Sequence, residues 1–319
     1  MPAIPLVILT GFLGSGKSTL LARLLRSPEF ADTAVIVNEF GEVGIDHALL
    51  ARGDEDNIVL LDSGCICCSL TSSLEDTLET LYYRRERGEI PRFERVMVET
   101  TGLADPGPIA TALSGGMFVA RQFGLGAIVV TVDAVHGTTQ LEAHEEARRQ
   151  VAMADRIVLT KVDIASAAAC AQAHAAIEAL NPFAPVQQAR MGETELGTLL
   201  VDHARRLASD QHAHGAHAHT HDYASVAVRV DAPVDWPRYA AWVARMQREA
   251  GDRLLRVKGF LRFDDGQVRL VQGVQLLFTP PAVAARPVPP ELLGTVVLIG
   301  HRIDAHTLRE LCATLAPAP

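Results

Sequence analysis

A glycine-rich phosphate cradle, a carboxylate at the tip of a buried strand and a knot of thiols each need particular side chains at particular spacings. All three occur in the first third of this 319-residue chain. Gly11-Phe12-Leu13-Gly14-Ser15-Gly16-Lys17-Ser18 fits the P-loop pattern, a glycine, four free positions, then Gly-Lys-Ser. Glycines at 11, 14 and 16 let the backbone curl until its N–H groups point inward, and a following helix adds its dipole, so the concavity attracts phosphate. Lys17 would reach the β- and γ-phosphates and Ser18 would hold Mg²⁺, with Ser15 and Thr19 beside them on the nucleotide. The chain has three lysines, Lys17, Lys161 and Lys258, against many arginines. A compact ammonium at position 17 is what a P-loop requires and a planar guanidinium cannot supply.

The second group is Cys65-Ile66-Cys67-Cys68, led by Gly64. Three thiols on one loop can turn toward one point, thiolates bind Zn²⁺ well, and a tetrahedral site then lacks one to three ligands. The neighbouring stretch Asn38 to Asp46 carries three carboxylates, Glu39, Glu42 and Asp46. Glu39 and Glu42 are the nearest additional metal ligands by topology, and in a P-loop enzyme this loop occupies the switch position near Mg²⁺ and the γ-phosphate. The third group is Glu99-Thr100-Thr101-Gly102, a carboxylate at a strand tip before a glycine, which is the Walker B arrangement for holding Mg²⁺. Further on, Thr160-Lys161-Val162-Asp163 resembles the Asn-Lys-x-Asp guanine motif of GTPases. The Asp163 carboxylate can accept both N1–H and N2–H of guanine, and the Lys161 stem can lie over the base. Thr160 stands where Asn is usual, and that Asn normally braces the P-loop.

The elements that must position these groups alternate. Apolar runs at Leu6–Leu9, Ala34–Val37, Asn57–Leu61, Arg95–Val98, Ala127–Asp133, Arg156–Leu159 and Pro185–Gln188 read as strands. Helical patterns begin at Thr19 and cover Leu70–Arg87, Gln140–Met153, Ala165–Leu180 and Leu196–Leu207. This predicts an α/β domain over 1–208, a mostly parallel sheet with helices on both faces and the chemistry at the carboxyl ends of its strands. Residues 209–222 hold five of the twelve histidines among small residues and read as a flexible, metal-attracting linker. From 223 to 319 a small α+β domain follows, with Asp235 and Asp304 as helix caps and Asp264-Asp265-Gly266 as a hairpin turn.

Composition excludes several classes. A formal charge of −9 argues against non-specific nucleic-acid binding. No apolar run spans a bilayer and the N-terminus lacks a basic segment before an apolar stretch, so a soluble cytoplasmic protein without membrane partners is expected. Five cysteines, three of them within four residues, suit a metal site better than a disulfide framework.

Taken together, the P-loop, the 38–46 loop, the Cys-x-Cys-Cys loop, Glu99-Thr100-Thr101-Gly102, Thr160-Lys161-Val162-Asp163, the His-rich linker and the small C-terminal domain resemble the CobW-type metallochaperone GTPases, relatives of the nickel-insertion GTPases. The resemblance covers nearly the whole chain. It implies a GTPase that cycles between GTP and GDP with Mg²⁺, binds a transition metal, Zn²⁺ or Co²⁺, and passes it to a client metalloprotein. It makes Cys65, Cys67 and Cys68 metal ligands, Glu39, Glu42 and Asp46 candidates for metal or Mg²⁺ contact, and Lys17 and Glu99 catalytic candidates. Two other readings are a P-loop small-molecule kinase and a metal buffer with a decayed nucleotide site.

Overall fold

The computed structural model describes residues 3–37, 59–62, 70–113, 116–191, 222–284 and 287–315, with backbone alone at 59–62 and 70–73. They divide into two compact units, each built on its own sheet.

The N-terminal unit runs β1 (Ile4–Gly11), α1 (Lys17–Leu24), β2 (Thr33–Val37), β3 (Val59–Asp62), α2 (Leu70–Glu86), β4 (Arg95–Glu99), α3 (Pro106–Ala112), α4 (Met117–Gln122), β5 (Phe123–Asp133), α5 (Gly137–Ala143), α6 (Glu145–Met153), β6 (Arg156–Thr160), α7 (Ala167–Leu180) and β7 (Val186–Gln188). The strands form one sheet in the order β3-β2-β4-β1-β5-β6-β7, and every pairing is parallel. β2, β6 and most of β1 are buried along their length, as strands covered on both faces must be. One core cluster joins β1, β2, β4 and β5 to α1 through Leu9, Leu20, Leu21, Leu24, Phe30, Val35, Met97 and Val129.

The expected helix over 140–153 is two helices. The break falls at His144, whose extended backbone (φ −121°, ψ 123°) ends α5 and caps α6. Two helices that periodicity did not reveal, α3 and α4, follow the Walker-type strand. Asp105 caps α3 by accepting from the Gly107 amide at 2.8 Å, with Pro106 at the first helical position.

The C-terminal unit holds β8 (Tyr223–Arg229), α8 (Trp236–Glu249), β9 (Leu254–Arg262), β10 (Val268–Val274), β11 (Leu277–Phe278), β12 (Ala282–Val283), β13 (Thr295–His301) and α9 (Ala305–Ala313). Its antiparallel sheet runs β11-β10-β9-β13-β8, with β12 paired to β10. Asp235 and Asp304 cap α8 and α9, accepting from Arg238 at 2.7 Å and Thr307 at 2.9 Å. No helix among the described residues is long and apolar enough to cross a membrane. The expected helix over 196–207 and the His-rich stretch before Asp222 lie outside the described residues.

Candidate functional site

The phosphate loop occupies residues 11–16, between the carboxyl end of β1 and the start of α1. Gly11 has φ 144°, and a Cβ there would collide with the Thr131 hydroxyl and carbonyl, so only glycine fits this exit from the strand. Lys17 opens α1 and is 8% exposed. Its Nζ donates to the carbonyls of Gly11 at 2.9 Å and Phe12 at 3.3 Å, which sets a positive charge against the loop backbone.

Ser18, one residue on, donates its hydroxyl to Oε1 of Glu99 at 2.8 Å. Glu99 is 1% exposed and ends β4, the neighbour of β1, so parallel pairing brings the two together across 81 positions. A hydrogen bond to a carboxylate is charge-assisted and short. A hydroxyl and a carboxylate side by side are the hard oxygen donors that Mg²⁺ accepts beside phosphate. The residues therefore fit the Mg²⁺-nucleotide group that a P-loop implies.

Beneath the loop lies a set of buried hydroxyls. Ser15 and Thr131 hydrogen-bond through their hydroxyls at 2.6 Å, and Thr131 also donates to the Thr10 carbonyl at 3.3 Å. Thr100 donates to the Thr10 hydroxyl at 2.7 Å. Thr160 donates to the Ser15 carbonyl at 2.7 Å and the Val132 carbonyl at 3.2 Å. The strand tips thus staple the loop from below, and each of these hydroxyls has a partner. Thr160, standing where Asn is usual, supplies a brace of its own: its hydroxyl ties β6 to the phosphate loop directly.

The guanine-type motif follows at the end of β6. Lys161 adopts a left-handed backbone (φ 58°), and its ammonium pairs with Asp133 at 2.7 Å. Asp133 is 1% exposed and also accepts from the amides of Val135 (2.7 Å) and His136 (3.3 Å). Lys161 is therefore held in place by the tip of β5, while Asp163 is exposed on the turn beyond it. Sequence reading assigned no role to Asp133, Thr10, Thr100 or Thr131. Asp133 carries the same signal that marked Glu99, a carboxylate closing a buried strand; the threonines carry no signal of their own.

Gly14 and Thr19 lie on the open side of the cradle, both exposed. Cys65, Cys67, Cys68, Glu39, Glu42 and Asp46 lie outside the described residues. Among the described residues no group of three or more His, Cys, Asp or Glu could hold a metal. The register does describe where their loops leave the sheet. Val37 pairs with both Asp62 and Glu99, so the 38–58 and 63–69 segments depart from strand ends level with Glu99. Two strand spacings separate Asp62 from Glu99, about 10 Å.

Comparison with known proteins gives consistent findings. Residues 5–188 match the family described as CobW/HypB/UreG, nucleotide-binding domain, and residues 223–315 match the cobW C-terminal domain. Zinc chaperone YjiA of Escherichia coli is 36% identical over 99% of both chains. Zinc chaperone CobW of Pseudomonas aeruginosa is 32% identical over 85% of this chain and 80% of that one. The crystal structure of Zn(II)-bound YjiA GTPase from E. coli superposes with a TM-score of 0.68 at 30% identity, covering 99% of each chain.

Proposed function

The chain belongs to the CobW/HypB/UreG family, and from that premise we propose that it is a GTP-hydrolysing metallochaperone that takes up Zn²⁺ and delivers it to a client protein. The observation that carries this reading is the Ser18–Glu99 hydrogen bond beside Lys17. It joins the two halves of a phosphate-and-cation cradle that are far apart in sequence. Relatives that are zinc chaperones along nearly the whole chain support zinc as the cargo over cobalt.

In this reading the loop N–H groups and Lys17 bind the phosphates, and Ser18 and Glu99 hold Mg²⁺. Bound Mg²⁺ neutralises charge that builds on the leaving phosphate oxygens. Thr160 and Ser15 keep the loop rigid, so the donors are aimed before the substrate arrives, which is where most electrostatic stabilisation originates. Asp163 selects guanine, and Asp133 fixes Lys161 beside it. The cargo site is Cys65, Cys67 and Cys68 with Glu39 or Glu42, and Asp46 stands on the same switch loop. Support for coupling the two sites comes from the register: both loops spring from strand ends aligned with Glu99. A change at the γ-phosphate end then reaches the metal loop through two adjacent strands. Residues 1–208, 209–222 and 223–319 act as nucleotide domain, linker and C-terminal domain.

Zinc titrated into the protein with GTP, GDP or no nucleotide tests this. Zinc affinity should differ between nucleotides, and by linkage zinc should shift nucleotide affinity by the same factor. Cys67→Ser should weaken zinc and spare GTP; Asp163→Ala should do the reverse. Zinc affinity that ignores the nucleotide would remove the switching mechanism, and phosphoryl transfer to an added small-molecule acceptor would favour a kinase.

A further inference from the structure

Two helices stand beside the phosphate loop and touch it at one end. Gln140 of α5 donates to the Leu13 carbonyl at 3.4 Å. His144, at the break between α5 and α6, stacks its ring on Phe12 with centroids 4.5 Å apart and planes 24° apart. Further along, α6 grips the segment that follows Glu99. Arg149 places Nε and Nη2 each 3.0 Å from Oδ2 of Asp105. Gln150 is 1% exposed, and its Nε2 donates to the carbonyls of Gly102 at 3.2 Å and Ala104 at 3.0 Å. The circuit closes at Gly102, where a Cβ would lie 2.7 Å from the Leu13 backbone. Three pieces of chain, far apart in sequence, are thus linked in a closed circuit of which the phosphate loop is one.

Gln150 is a poor stabiliser. Its Oε1 is buried without a hydrogen-bond partner among the described residues. The loss from that orphaned acceptor is comparable to the gain from the two bonds its amide donates. Its contribution is therefore position: it fixes the carbonyls, and with them the backbone, of residues 102–104. A third phosphate must be accommodated at the Ser18–Glu99 end of the cradle, and the held segment begins there.

We propose that the α5–α6 pair is a positioning element, with Gln150 and Arg149 as positioning residues that set how strongly the site distinguishes a nucleoside triphosphate from a diphosphate. The proposal rests on the reading of the chain as a GTPase. Holding residues 102–105 against the phosphate loop prepares the conformation that a triphosphate needs, so the ordering cost is met before binding. A diphosphate stops short of that segment and gains nothing from it.

The test uses the full chain with Gln150→Leu, which keeps the shape and removes the amide, and Arg149→Lys, which keeps the charge and removes the two-pronged contact. Affinities for GDP and for a non-hydrolysable GTP analogue are measured by titration, with amide exchange over 100–105 and the thermal midpoint alongside. The expected result is GDP affinity within twofold of wild type and analogue affinity down about tenfold, the size of the bonds that hold residues 102–105 in place. Faster exchange at 102–105 with little change in the thermal midpoint should accompany it. Equal loss for both nucleotides with a lower midpoint would show a structural role only and overturn the proposal, as would unchanged exchange or retained discrimination in both variants. A wild-type chain that binds neither nucleotide overturns the GTPase reading instead, which separates the two failures.

Discussion

The two units differ in where they gather their buried polar groups. In the N-terminal unit Thr10, Ser15, Lys17, Glu99, Thr100, Thr131, Asp133 and Thr160 are all buried, and all sit at the carboxyl ends of strands or on the loop above them. In the C-terminal unit the core is largely aliphatic around a knot of rings, Trp242, Phe260, Phe263 and Tyr239, with Tyr239 5.7 Å by ring centroid from both Trp242 and Phe263. Its buried ionisable groups include Tyr239 and Cys312, and burial pushes both up to about 12, which keeps them neutral. A buried charge is costly unless it is met by an opposite charge or by hydrogen bonds. The first unit meets that cost most densely at one place, Lys17 on carbonyls, Glu99 on Ser18, Asp133 on Lys161, and once more at the opposite strand ends, where Asp155 accepts from the Ile128 amide at 2.9 Å. The second keeps Tyr239 and Cys312 neutral and meets the charge of buried Arg256 with the Gly273 carbonyl at 3.1 Å. The lesson is that convergence of satisfied buried charge, rather than burial itself, marks where a fold is built for chemistry.

The contrast can be broken or sharpened by substitution. Trp242→Ala should cost about 3–5 kcal/mol of unfolding free energy. Denaturant titration gives the cost, and nucleotide affinity of the folded molecules should stay near wild type. Parallel loss of nucleotide binding would erase the division between a packing unit and a chemical unit. Lys17→Ala should lower GTP hydrolysis by roughly two to three orders of magnitude, as loss of one preorganised charge does. Its unfolding midpoint should hardly move; a large drop would make Lys17 structural. Thr160→Val should weaken GTP and GDP alike by about tenfold, since the bracing bond serves the whole loop. Recovery in Thr160→Asn would show that any donor at this position suffices. Asp235→Ala should cost about 1 kcal/mol through lost capping of α8, read by thermal unfolding, with hydrolysis unaffected.

The smallest effect concerns acid. Hydrogen bonds from Arg269 and the Gln267 amide hold the Asp265 carboxyl down at about 2, below its ordinary value. A depressed carboxylate contributes stability above its unfolded pKa of about 3.9. That contribution is lost as pH falls from about 4 toward 2. Asp265→Asn should flatten a small part of the acid limb of the stability curve over that window and change nothing near neutrality. An identical acid limb in the variant would mean that the exposed pair contributes nothing measurable.

Much of the nucleotide site was legible in the chain because its parts are local. Gly11 to Ser18 specifies its own turn and the helix after it. Glu99 was visible as a carboxylate closing an apolar run. The caps at Asp235 and Asp304 were readable for the same reason, since a cap needs only a side chain three residues from an amide. The break at His144 was not readable: every residue nearby suits a helix, and the contact with Phe12, 132 positions away, accompanies an interruption that no local residue announces. α3 was missed although Asp105-Pro106 is a cap followed by a first-position proline, because its Gly- and Pro-rich sequence carries little helical periodicity.

The sequence by itself determined which residue types stand at strand tips and loops, and in what order, because turn geometry and apolar periodicity act over a few residues. Only the tertiary structure decided their partnerships: Ser18 with Glu99 across 81 positions, Lys161 with Asp133 across 28, Thr160 with Ser15 across 145. Those contacts follow from the order in which parallel strands lie side by side. That order is set by burying both faces of the whole sheet at once, a global condition that no short stretch of chain encodes.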